Sequence, residues 1–148
     1  MADFGTLERQ HLDILAAGDR LLALLNGGPE RLDAVARCRL ELSRLLHENL
    51  RAEELLVTAP LRRERLTARI PGYDALAAAE GELRAAYSAH VQRWTPRAME
   101  GDWPRYAEAV RALVADLRAA IRRRERELLP VAELLLAVRG ATPARVVI

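Results

Sequence analysis

The stretch DWPRYAEAVRALVADLRAAIRRRERELLP, residues 102–130, decides the fold. The loop Gly101, Asp102, Trp103, Pro104 supplies a cap and an early proline for a helix. From there Tyr106, Val110, Leu113, Leu117, Ile121, Arg124 and Leu128 recur at steps of three and four, with Ala120 beside Ile121. That is the period of one helix face. The helix is expected to run to about Leu129, where Pro130 breaks it. Its inward stripe is apolar except for one guanidinium near the far end.

The same punctuation divides the rest of the chain. A first helix is expected from Thr6 as N-cap to Asn26, ended by Gly27 and Gly28. Pro29 opens a second, which runs to about Val57 and stops before Pro60. The segment from Pro60 to Gly72 connects it, through a short crossing helix, to a third helix capped by Asp74 and ended near Thr95 by Pro96. Ala, Leu, Arg and Glu dominate, and strand-like alternation is absent. Four segments of this length with short connections predict an all-α, up-down-up-down four-helix bundle over residues 1–139, followed by a loosely attached tail, 140–148. The endings of the second and fourth helices also echo each other, Glu53-Glu54-Leu55-Leu56 against Glu125-Arg126-Glu127-Leu128-Leu129-Pro130.

Composition narrows the function classes. The chain has 148 residues, enough for one core without disulfides or a structural metal. Every basic residue is Arg; 23 of them against 21 acidic residues leave a formal charge of +2. Acidic residues are interleaved with the Arg clusters at Arg62, Arg63 and Arg65 and at Arg122, Arg123, Arg124 and Arg126, which argues against a nucleic-acid surface. No apolar run is long enough to span a bilayer, and the first residues lack a secretory pattern, so a cytoplasmic protein is expected. Cys38 falls on the core face of helix two and reads as a small hydrophobe. No Gly-rich phosphate loop and no nucleophilic triad can be assembled, and no enzyme is predicted.

Polar residues on the apolar stripes carry the remaining information, because each must have a reason to be buried. His11 shares the first-helix stripe with Leu7, Ile14, Gly18 and Leu21. On the second helix Asn49 and Glu53 fall on the core face, while Glu54 and His47 fall together on the flank and are expected to pair at the surface. The third stripe is Leu76, Glu80, Leu83, Tyr87, His90 and Trp94. Arg124 points inward on the fourth at the end corresponding to Glu53, and Glu125 sits off to the side.

Taken together, Glu8-Arg9-Gln10-His11, Ala52-Glu53-Glu54-Leu55-Leu56, His90 within Ala89-His90-Val91-Gln92-Arg93-Trp94, and Arg124-Glu125-Arg126-Glu127-Leu128-Leu129-Pro130 resemble the hemerythrin-like, or HHE cation-binding, domains over about residues 6 to 137. The resemblance implies a bundle whose core holds two non-haem irons through histidines and carboxylates, with His-x-x-x-Glu on both the second and the fourth helix. Here those pairs are Asn49 with Glu53 and Ala120 with Arg124. The carry-over metal ligands are therefore His11, Glu53 and His90, with Asn49, Glu80 and Tyr87 as further donors.

Ala120 cannot coordinate, and a fixed guanidinium repels a metal while competing for its carboxylate. The expectation is a core ion pair, Glu53 with Arg124, standing in place of the metal, and histidines held as core residues by neighbouring polar groups. The functional expectation is a hemerythrin-like bundle without its di-iron centre and without a cofactor. It would act as a binding or regulatory module rather than an oxygen carrier, through a homodimer, a protein partner or a pocket left in the core. The alternative is a non-haem iron protein, with one or two metals, in oxygen or oxidant sensing or iron handling.

Overall fold

The computed structural model describes the backbone of residues 4–146 and the side chains of residues 4–138. Among these it contains helices and connecting turns and no strand. Helix α1 spans Phe4–Leu25 and α2 spans Leu32–Glu53. A π-helical turn, Glu54–Thr58, joins α2 directly to α3, Ala59–Arg63. The long helix α4 is Tyr73–Arg93 and the short α5 is Pro96–Gly101. Helix α6, Trp103–Arg123, passes through a second π-turn, Arg124–Leu128, into α7, Leu129–Val146.

Capping follows the sequence at Gly28 and Asp102 and departs from it at Thr6 and Asp74. Gly28 and Gly72 adopt positive φ, 76° and 71°, where a Cβ would be strained. Thr95 accepts from the Ala98 amide at 3.2 Å, so Pro96 opens a new short helix. Asp102 accepts from the Arg105 amide at 3.3 Å and caps α6. Asp74 lies in the first turn of α4 rather than at its cap, and α1 begins at Phe4, ahead of Thr6.

Of the three prolines expected to stop helices, Pro96 follows the end of α4 at Arg93, whereas Pro60 and Pro130 do not stop theirs. Helical structure continues past Pro60 to Arg63 and past Pro130 to Val146. An interior proline lacks an N–H and crowds the carbonyl one turn back, and a widened turn immediately upstream carries the chain past it. Both prolines stand two residues after a five-residue π-turn, and Ala59 and Leu129 each donate to the carbonyl five residues earlier, that of Glu54 and that of Arg124. Of the tail expected over 140–148, the backbone through Val146 belongs to α7, and residues 147 and 148 lie outside the described residues.

Apolar side chains form two clusters stacked along the helices. The larger joins α1, α2 and α6 through Ile14, Leu21, Val35, Leu42, Val110 and Leu117, and is closed by Trp94, Met99, Trp103 and Tyr106. Gly18 lets α6 come close: a Cβ there would lie 3.3 Å from Val114 Cγ1. The smaller holds Phe4, Leu7, Val57, Leu61, Leu76 and Leu128. Between the two, each long helix contributes a polar residue: His11 lies between Leu7 and Ile14, Glu53 between Leu42 and Val57, Glu80 between Leu76 and Leu83, and Arg124 between Ile121 and Leu128.

Candidate functional site

This polar layer is organised by one cation. Arg124 Nε donates to Glu53 Oε1 at 3.0 Å, and its Nη2 donates to the same oxygen. Nη2 also lies 2.7 Å from Glu80 Oε2. The side chains of Glu53, Arg124 and Glu80 are 4%, 14% and 27% exposed, so the layer grades from the core toward solvent along α4. Burial pushes the Glu53 carboxyl upward, the charge and hydrogen bonds of Arg124 offset this only in part, and the nearby Glu80 charge pushes the same way as burial. Arg124 is held above its ordinary value by the two carboxylates despite its own burial.

His11 enters the layer from α1 and is 1% exposed. Its Nδ1 lies 2.8 Å from Glu125 Oε2, and since a carboxylate only accepts, the proton sits on Nδ1. That leaves Nε2 buried without a hydrogen-bond partner. Glu125, expected off to the side, stays exposed but reaches His11 with its carboxylate from the π-turn beginning at Arg124, where the widened repeat departs from regular helical phase. The proline six residues beyond Arg124 was the available signal for that change of phase.

The remaining candidates sit elsewhere. Asn49 Nδ2 donates to Gln10 Oε1 at 3.0 Å, a contact between α1 and α2. Tyr87 shares a 2.5 Å hydrogen bond with Ser43. His90 is ten residues from Glu80 on α4, about 15 Å along the axis, and stacks on Tyr106 with ring centroids 5.9 Å apart. Burial, reinforced by the nearby Arg39 charge, lowers its pKa and favours the neutral imidazole. His47 is exposed, and Glu54 pairs with Arg62 rather than with it. Burial raises the pKa of the Cys38 thiol, which donates to the Ala17 carbonyl at 3.5 Å, in keeping with a small hydrophobic role.

These positions can be tested against the two irons implied by the resemblance. His11, Glu53 and His90 do not converge, since His90 belongs to the aromatic cluster at the other end of α4. Glu53 and Glu80 are both engaged by a guanidinium, and Ala120 offers no donor. No group of three or more His, Cys, Asp or Glu among the described residues is arranged to hold a metal ion. Within this layer the Nε2 of His11 is buried without a hydrogen-bond partner, and the arrangement as a whole does not fit a di-iron centre.

What the layer does border is space. A cleft of about 490 Å³ lies between α2, α4 and α6, floored by Ile14, Leu117, Ala120 and Ile121 and closed at one end by Arg124 and Glu80. A second hollow of about 400 Å³ lies beyond the same two residues, toward Tyr73 and Arg62. The Arg124–Glu80 pair is thus a partition between them. Helix α4 forms the looser wall: Leu76 is its one fully buried residue, while Leu83, Tyr87 and Val91 are half-buried facing the cleft. Ser43, Arg84, Ser88 and Gln92 also line it, and helical periodicity of apolar residues does not single out such polar wall positions.

No helix among the described residues is long and apolar enough to cross a membrane. Comparison with protein-family models, curated proteins and solved structures finds no match to this chain.

Proposed function

We propose that this chain is a metal-independent binding module: a hemerythrin-like, up-down-up-down four-helix bundle in which Arg124 supplies the positive charge that iron supplies in relatives with a full ligand set, and whose α2–α4–α6 cleft receives a small molecule. The observation that carries the reading is the Arg124 guanidinium bridging Glu53 and Glu80 at the end of an apolar cleft. A volume of about 490 Å³ falls within the few hundred to a thousand Å³ of ordinary small-molecule sites, and apolar walls with a few placed polar groups are their usual lining. No catalytic step is assigned to it.

The neutral fluorescent probe N-phenyl-1-naphthylamine tests the cleft directly. Saturable binding at one probe per chain is expected, weakened at least about tenfold by Ala120→Phe, which fills the floor while leaving the helical circular-dichroism spectrum unchanged. Absence of saturable binding, or equal binding by Ala120→Phe, contradicts the reading. A second reading, non-haem iron handling or oxidant sensing, draws on the open Nε2 of His11. It requires Arg124 to leave the layer, and metal content decides it.

A further inference from the structure

The charges around the cleft are already matched, with one exception. Glu53 and Glu80 share Arg124, and Glu54, at the far hollow, is paired with Arg62. Ser43 and Tyr87 satisfy each other, and Asn49 is turned to Gln10. Arg84 lines both the cleft and the hollow, is exposed, and has no ion-pair partner among the described residues. Its natural helical partner, Glu80 one turn earlier, is drawn inward to Arg124. Across the mouth on α2 stands His47, also exposed and also lining the cleft. The polar groups left open for recognition at the rim are therefore led by an unpaired cation and an imidazole, above an apolar trough.

We propose that the ligand of this cleft is an amphiphilic carboxylate, its apolar body lying over Ile14, Leu117 and Ile121 and its carboxylate at the mouth against Arg84 with His47 opposite. The assignment rests on the reading of the cleft as a small-molecule site. The planar guanidinium fork suits a carboxylate, which it can grip with two parallel hydrogen bonds. A cationic head would find Arg84 in its way and Glu80 already occupied. A neutral head would leave Arg84 solvated and gain little. The trough runs from Glu80 to Gln92 along α4, about 18 Å by helical rise, which accommodates an extended chain better than a compact ring system.

Competition against bound N-phenyl-1-naphthylamine by decanoate, decanol and decylamine, three heads on one chain length, provides the test. Decanoate is expected to displace the probe at concentrations roughly three- to tenfold lower than decanol, the worth of a partly exposed guanidinium–carboxylate pair, with decylamine the weakest. Arg84→Gln, a change at an exposed side chain, is expected to erase the advantage of decanoate while leaving decanol unchanged. Added salt is expected to narrow the gap in the unmodified protein. Decanol or decylamine matching decanoate, or an advantage that survives Arg84→Gln, overturns the carboxylate assignment while the probe still reports a working cleft. Failure of the probe itself to bind would instead bring down the cleft.

Discussion

Arg124 is the residue on which the interior depends. Removing its side chain leaves Glu53 and Glu80 facing each other without a counter-charge, and Arg124→Ala is expected to cost about 3 to 5 kcal/mol by urea denaturation, the range for breaking a buried pair from one side. Replacing both partners with apolar residues of similar size, Arg124→Met with Glu53→Leu, is expected to recover most of that loss, because the desolvation of both charges disappears together. If the double variant is no more stable than Arg124→Ala, Glu53 and Arg124 do not act as one ion-paired unit. Glu53 also gives a signed pH dependence. Its carboxyl is pushed up in the folded state, so its contribution is fully present below the ordinary carboxylate range and is lost as pH rises through its folded pKa. The stability difference between the unmodified protein and Glu53→Gln is therefore expected to move in favour of the glutamine variant as pH rises above the ordinary carboxylate range. Movement the other way would mean that Arg124 outweighs burial. Of these residues, the inward placement of His11, Glu53, Glu80 and Arg124 was legible from helical periodicity alone. The partner of His11 was not, because Glu125 reaches it through a local change of helical phase.

At the level of elements, the two π-turns explain why two of the prolines that should end helices do not. In a regular helix interior a proline costs about 3 kcal/mol or more, and its replacement should return that amount. Here the widened turn already accommodates the ring, so Pro130→Ala is expected to change stability by less than about 1 kcal/mol. A gain near 3 kcal/mol would show the proline to be strained within an ordinary helix. The turn also sets the direction of Glu125, and Glu125→Ala is expected to cost about 1 to 3 kcal/mol by leaving both ring nitrogens of buried His11 unpaired. The boundaries at Gly28 and Asp102 could be read in advance, since a positive φ or a capping oxygen is a local property, whereas Thr6 and Asp74, expected as caps, lie inside their helices. Continuity through Pro60 and Pro130 could not, because it depends on how a whole turn redistributes its hydrogen bonds.

Across the molecule, the apolar interior is divided by a layer of charge, and the cleft opens where α4 is least committed to the core. Helix α4 buries one residue fully whereas α6 buries eight, so amide hydrogen exchange of α4 is expected to be markedly faster than that of α6, and to slow when the cleft is filled. Equal protection of the two helices would contradict the loose-wall description. All-helical architecture was evident from composition and period, but the cleft was not, because a void between helices depends on how far apart their axes lie and not on which faces are apolar. In the proposed module a guanidinium occupies the interior position at which a metal would otherwise balance the carboxylates. Elemental analysis after anaerobic loading with ferrous iron and removal of the excess tests it most directly. No stoichiometric iron is expected in the unmodified protein; one or two irons retained per chain, with Arg124 displaced from Glu53, would show that metal and not guanidinium balances the carboxylates.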